Sequence, residues 1–334
     1  DVSFAQDVAL GFPLAGVRPD TLQFTGLLAG GLPAPAELDS SLQRALARRT
    51  ETLMELLRRP RREPGTAEIR AQALQEVQSG KLRGPWPVYI DAAGQLQSHV
   101  PFKEWLPTPR FPRVQNRTAT SFKVRPIDDA TASGLNPSSV SPEKMKVEGL
   151  PCILALAERV ATDFKEWGEG GAPMLCKADH AQAFRQWAIR PDQQNLVVSL
   201  IWDDEVGPSG GYLAFAHRAL PFGALGAVWG YGRVANSIVH ILRRMFSVAQ
   251  LAFVDDYNRV DPRRHSALLK WAFEQVHDIL GVPLKTEKND GPSNKLTMLG
   301  MQVAVHRDWA GLQLTTSRKA ELQKAVEQAL RSRT

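Results

Sequence analysis

Apolar residues along this chain recur at helical spacing in long stretches, alternate in shorter ones, and are punctuated mainly by Gly and Pro. Leu42, Leu46, Leu53, Leu56 and Leu57 predict one helix over residues 36–57, broken by Arg58-Arg59-Pro60-Arg61-Arg62. A second helix is expected over 66–79, stopped by Gly80. The longest covers Leu225–Phe246, with Val228, Tyr231, Val234, Ile238 and Leu242 on one face. Two more follow over 262–280 and 317–330.

Strand signals lie between these helices. Residues 121–127 alternate, 174–178 form a short apolar run, and 195–201 and 212–217 read as extended. The run Leu251-Ala252-Phe253-Val254 leads into Asp255-Asp256 as a hairpin, and further strands are expected over 296–305 and 312–315. Residues 84–121 are rich in Pro and Arg and predict only short extended pieces such as Val88-Tyr89-Ile90. Residues 1–35 read as irregular chain wrapped over another surface, and Gly168-Glu169-Gly170-Gly171 as a flexible link. Strands interleaved with helices, two of them adjacent in a hairpin, give an α+β class with an antiparallel sheet.

Composition narrows the setting. A chain of 334 residues can bury one large core or two to three smaller ones, and 43% hydrophobic with 23% charged residues is ordinary for a globular protein. No apolar run reaches membrane-spanning length and no signal-peptide pattern opens the chain, so the expected setting is intracellular. Cys152 and Cys176 form neither a disulfide framework nor a metal-ligand spacing, which suits a reducing compartment, cytoplasm or nucleus. Opening on Asp1 rather than Met reads as a piece of something longer. The net charge of +6 is compatible with a nucleic-acid partner. The arginine cluster at 58–62 is either a solvated helix end or a phosphate-contacting patch.

Candidate chemistry centres on carboxylates. Three pairs compete for a metal, Asp128-Asp129, Asp203-Asp204 and Asp255-Asp256, and Asp179 stands alone at the end of an apolar strand. If the Asp179 strand lies beside the Asp255-Asp256 hairpin, three hard oxygen ligands converge, a set suited to two metal ions roughly 3.5–4 Å apart. Gly207, Pro208, Gly210 and Gly211 make Asp203-Asp204 a surface turn, and Gly230-Tyr231-Gly232 lies inside a helix rather than after a strand. The histidines show no ligand spacing, and His240 is expected in the core. Trp86, Trp105 and Trp167 are expected to be buried rather than stacked on bases.

With these residues in place, the chain resembles the reverse transcriptases, most closely their DIRS-like retroelement branch. Lys177 to Gln186, with Asp179 in it, resembles the first catalytic motif of that family, and Leu220-Pro221-Phe222-Gly223 the start of its template-contacting helix. Phe253-Val254-Asp255-Asp256 is similar to the aromatic-x-Asp-Asp motif, and Leu299-Gly300 to the primer-grip hairpin. Lys123-Val124-Arg125-Pro126-Ile127-Asp128-Asp129, with Ser133 and Asn136, resembles the motif that grips the incoming triphosphate. Arg110-Phe111 with Gln115, the run from Gly80 to Pro85, and Gly291-Pro292-Ser293 fit the DIRS-like branch, and the likeness spans about residues 66–330.

The resemblance implies a right-hand polymerase with fingers and palm, the palm an antiparallel sheet packed on helices and the thumb short or truncated. Residues 1–65 would be an N-terminal extension, 66–172 fingers, 173–316 palm with fingers helices interleaved at about 185–220, and 317–334 the start of a thumb or connector. It implies two magnesium ions, with manganese as substitute, held by Asp179, Asp255, Asp256 and the backbone carbonyl of His180. Lys123 and Arg125 would clamp the triphosphate, Phe222 and Gly223 would line the nucleotide pocket, and Phe184 would sit beneath the sugar and favour deoxynucleotides. Lys288, with Lys285 as rival, would protonate the departing pyrophosphate. The implied partners are dNTPs, an RNA or DNA template with its primer, and further polyprotein domains such as ribonuclease H, with no membrane. Two alternatives stand beside the RNA-directed DNA polymerase: an RNA-dependent RNA polymerase, and a catalytically silent nucleic-acid-binding protein.

Overall fold

The structure, a computed structural model, describes residues 3–18, 21, 23, 24, 26, 27, 32–115, 123–141, 143–145, 147–166 and 172–331. The link at 168–171, Trp167, and the first residues of the 121–127 strand lie outside the described residues. The architecture is mixed α/β, with several antiparallel sheets and flanking helices, in keeping with the α+β class. The chain divides into two compact units, each built from two separated stretches: 1–146 with 184–233, and 147–183 with 234–334. The sequence boundaries therefore shift. Residues 1–65 belong to the first unit, and 147–172 go with the second.

The first unit is organised on a six-stranded sheet in the order Leu96–Ser98, Leu82–Ile90, Gly211–His217, Val198–Asp203, Pro107–Gln115, Lys123–Asp128. Its pairs are antiparallel except Val198–Asp203 with Pro107–Gln115. Every residue of Val198–Asp203 is buried, because both faces of the sheet are covered. On one face Val198, Leu200 and Trp202 pack with Leu53 and Trp105. On the other, Ile201 and Phe215 pack with Ile69 and Ala73 of the helix Thr66–Gln78.

Strands Leu82–Ile90 and Pro107–Gln115 are longer than their prolines suggest. Pro85 and Pro87 precede the residues paired with the short Leu96–Ser98 strand, and on that side Pro87 needs only its carbonyl, which accepts from His99 N at 3.1 Å. The single helix expected over 36–57 is two, Pro35–Ala47 and Arg49–Arg58, divided at Arg48. The N-terminal stretch also departs from expectation, since it holds the helix Phe4–Leu10. It does wrap a surface: a Cβ on Gly226 would collide with Leu14 and one on Gly230 with the Phe12 ring, so both glycines admit this segment. Arg233, fully buried, pairs with Asp7 and lies 4.5 Å over the Trp229 ring.

The second unit carries a fully antiparallel four-stranded sheet in the order Gln250–Phe253, Asp256–Asp261, Met174–Asp179, Asp290–Ser293. Gly291 is required where the last strand crosses its neighbour, because a Cβ would overlap the Leu175 carbonyl oxygen. The helix Leu150–Glu166, which the apolar pattern did not predict, covers one face through Ile153, Ala157 and Val160, which meet Leu175 and Val260. The helix Ser266–Ile279 covers the other, with Phe273 against Tyr257 and Arg259.

Residues 296–305 are not one strand but a hairpin, Lys295–Met298 with Met301–Val305, followed by Ala310–Leu314 in a three-stranded meander. Leu299 and Gly300, both at positive φ, reverse the chain as a two-residue type I′ turn does. The last helix, Thr316–Arg331, buries no residue. Among the described residues no helix is long and apolar enough to cross a membrane.

Candidate functional site

The run Met174–Asp179 becomes a strand flanked on both sides, buried at Leu175, Cys176, Ala178 and Asp179 and partly buried at Met174 and Lys177. Register places Asp256 directly opposite Asp179, Asn258 opposite Lys177 and Val260 opposite Leu175. Residues paired across strands share a face. One face of this sheet therefore runs from two carboxylates, through a polar row, to an apolar row in the core. Sequence reasoning anticipated the side-by-side strands.

Asp255 sits with Val254 in the two-residue turn between Phe253 and Asp256. Val254 has φ +57, a region that β-branched residues avoid and that glycine fits at the first position of a II′ turn. Such strain costs on the order of 1–3 kcal/mol and clusters at functional sites. Val254→Gly is therefore expected to raise stability by about 1 kcal/mol while loosening the aspartate turn. Urea denaturation tests the first part, and a lower midpoint would show that the side chain contributes more by packing than it costs in strain.

The two facing carboxylates differ electrostatically. Burial pushes Asp256 up, and its hydrogen bond with Asp179 and the charges of Asp179 and Asp255 raise it further, to about 7. For Asp179 burial acts upward too, but hydrogen bonds with Lys288 and Asp256 and the two lysine charges hold it below the ordinary carboxylate value. Lys288 Nζ donates to Asp179 Oδ2, and Lys285 Nζ approaches the same oxygen at 3.4 Å. The Asp179 hydrogen bond in turn raises Lys288, which is protonated at neutral pH. Both candidate proton donors stand at one carboxylate, with Lys288 the tighter partner.

The His180 ring is engaged in the core, while its backbone N–H donates to the Asp255 carbonyl at 3.4 Å. The imidazole is fully buried, stacks at 4.4 Å on Tyr257, and shares a 3.0 Å hydrogen bond with His277. A pocket of about 310 Å³ is lined by Asp179, Asp256, Lys288, Asn258, Leu299 and Gly300, among others. Asp179, Asp256, Lys288 and the Leu299-Gly300 turn thus meet in one place, whereas Asp255, on the adjoining turn, is not part of the lining. Asn258 is the residue sequence reasoning missed, although its position two after Asp256 on a strand put it on the same face.

Among the described residues no group of three or more His, Cys, Asp or Glu stands ready-made for a metal ion. The counter-charges at Asp179 here are ammonium groups. The donor chemistry nonetheless fits a hard divalent cation: all-oxygen ligands, and two facing carboxylates of which one is pushed toward protonation.

The residues expected to contact nucleotide belong to the first unit. Lys123 and Arg125 are exposed on the strand Lys123–Asp128, with Arg113 directly opposite Arg125. Phe184 is only 5% exposed, stacks on Tyr231 at 4.7 Å and meets Phe222 at 5.2 Å. Gly223 has φ +106, and a Cβ there would overlap the Asp128 carbonyl oxygen. Asn136 donates to the Gly223 carbonyl at 3.0 Å and accepts from Leu225 N at 2.8 Å, joining two of the sequence motifs.

The competing acid pairs have other work. Asp128 is buried, with Arg110 donating to both its oxygens at 2.8 Å and with Ser199 and His217 beside it. Asp129 caps a turn through Ala132 N at 2.9 Å. Asp203 pairs with Arg70 at 2.6 Å, and Asp204 with Arg62 and Trp202. Trp105 is buried as expected and Trp86 half-buried. His240 is a correction: it is exposed, turned off the apolar stripe of its helix one residue past Val239.

Buried histidines set an acid limit. Burial lowers His217 to about 4, in the first unit, and His277 to about 4, in the second. Below their ordinary value near 6.5 the unfolded chain takes up protons that the folded chain refuses. The contribution of these two histidines is thus full above about pH 6.5 and falls as pH drops toward 4, by up to about 3 kcal/mol for each, while Asp256, raised to about 7, acts in the opposite sense. Urea midpoints at pH 7.5 and 5 in an Asp256→Asn chain, which lacks the opposing titration of Asp256, check this, and equal midpoints would contradict it.

No protein-family model matches the chain, and no curated protein does.

Proposed function

We propose that the chain is the core of a reverse transcriptase, an RNA-directed DNA polymerase that adds deoxynucleotides to a primer. In this right-hand reading the second unit serves as palm and the first as fingers. The observation that carries it is the register of Asp256 on Asp179, with Asp255 on the strained turn between adjacent strands. The primer-grip role of Leu299-Gly300 is supported by their place in the wall of the same pocket.

Asp179, Asp255, Asp256 and the His180 carbonyl would hold magnesium, which when bound supplies Lewis-acid activation of the primer hydroxyl and charge neutralisation of the triphosphate. The chain's own residues do the rest. Lys288, protonated and beside Asp179, would hand a proton to the departing pyrophosphate. Lys123 and Arg125, both exposed, supply point and forked donors for phosphate oxygens. Phe184, braced by Tyr231 and Phe222, supplies a rigid ring against the sugar.

The test is extension of a DNA primer on an RNA template with magnesium and dNTPs. Absence of extension by the unmodified chain sinks the enzyme reading and leaves the silent nucleic-acid-binding alternative. Equal incorporation of ribonucleotides would remove the role given to Phe184.

A further inference from the structure

The middle row of the palm-like face, between the carboxylates and the core, holds Lys177 and Asn258. Lys177 is committed: its Nζ donates to the Thr297 carbonyl at 3.0 Å and pairs with Asp290 at 3.1 Å. Asn258 is not. It is 2% exposed and lines the 310 Å³ pocket, and its buried side-chain Nδ2 has no hydrogen-bond partner among the described residues. Its backbone carbonyl is occupied, accepting from Gln250 Nε2 at 3.0 Å, so only the side chain is uncommitted.

A buried amide left without a partner is costly relative to a satisfied one. Leucine of similar shape would remove that cost, so the folded chain alone gives no reason for asparagine here. A ligand does. The pocket is bounded by Asp179 and Asp256 on one side and by the Leu299-Gly300 turn on the other. A strand end held at that turn and directed at the carboxylates places its last nucleotide over the middle row. Sugar and phosphate oxygens are then the acceptors within reach of the amide.

We propose that Asn258 is a substrate-binding residue for the strand being extended: its side-chain amide hydrogen-bonds an oxygen of the terminal nucleotide in this pocket. The proposal rests on the polymerase reading of the same site.

The test compares the unmodified chain with Asn258→Leu by fluorescence anisotropy in magnesium without nucleotides. The probes are a labelled primer–template duplex with a recessed 3′ end and its blunt-ended counterpart. The expected result is about tenfold weaker binding of the recessed end by the variant, with unchanged binding of the blunt duplex. The melting temperature should be equal or higher, since no internal hydrogen bond is lost. Asn258→Ser, which keeps a hydroxyl, should recover part of the recessed-end affinity.

Unchanged recessed-end binding by Asn258→Leu overturns the proposal. So does a lower melting temperature with both duplexes weakened alike, which would make the amide a structural element. The polymerase reading fails separately, on absence of primer extension by the unmodified chain.

Discussion

Asp179→Asn is expected to lower primer extension by on the order of a thousandfold or more while leaving the chain folded. Asp179 combines the most interactions in the site: it faces Asp256, receives both lysines and borders the pocket. An amide keeps its shape but loses the charge that a metal ion or an ammonium group recognises. Stability should change little. Lys288 and Lys285 lose a partner, and Asp256 in exchange loses the neighbouring charge that helps to raise it. Single-turnover extension and circular dichroism on the same preparation check the two halves. Retention of more than about a tenth of the activity would mean that Asp179 is not a ligand on which the chemistry depends.

The largest loss of stability is expected at Asp128. Asp128→Ala leaves the Arg110 guanidinium buried without its bidentate partner and should cost about 3–5 kcal/mol. Burial alone would push Asp128 up, and the Arg110 charge and hydrogen bonds override it, holding the carboxyl well below its usual range. The cluster extends through His217 to Arg185, which Glu76 balances at 2.8 Å. Removing one member therefore unbalances several. Urea denaturation of the full chain should show the drop in midpoint, and a change within error would mean that water or relaxation compensates Arg110. Asp128→Ala also removes an acid that the sequence alone offered as a metal ligand, so its phenotype should be loss of fold rather than loss of a cation.

Sequence pattern conveyed some of these features directly. The helix Leu225–Phe246 was legible because its apolar residues keep helical spacing over many turns and Leu220-Pro221-Phe222-Gly223 marks its start. The strand ending in Asp179 and the hairpin carrying Asp255-Asp256 were legible for a similar reason: an apolar run bounded by acids has few alternatives. The split at Arg48 was not, since neither Gly nor Pro marks it and the division lies in tertiary packing. Leu150–Glu166 went unpredicted, and its start carries turn-type residues, Gly149 and Pro151, although Pro151 stands in the first turn of the helix, where proline is tolerated. The Asp128 network was hidden because an Asp-Asp pair looks solvated until its partners, Arg110 and His217, are brought from distant strands. Charge balance at Asp179 was half legible. Lys288 and Lys285 follow from the resemblance, but their joint hold on one oxygen is a result of the loop's path beside the strand.

The weaving of two units from four stretches bears on the order in which the chain can fold during synthesis. The strand Met174–Asp179 finds one neighbour in Asp256–Asp261 and the other in Asp290–Ser293, both far downstream. Closing such distant pairings costs chain entropy before any contact repays it. Strand Val198–Asp203 and its partner Gly211–His217 emerge from the ribosome between Asp179 and its partners, so the six-stranded sheet can close while the strand Met174–Asp179 still waits. A nascent chain stopped before residue 256 would carry Asp179 on an unpaired apolar strand, prone to aggregate and unable to form the carboxylate pair.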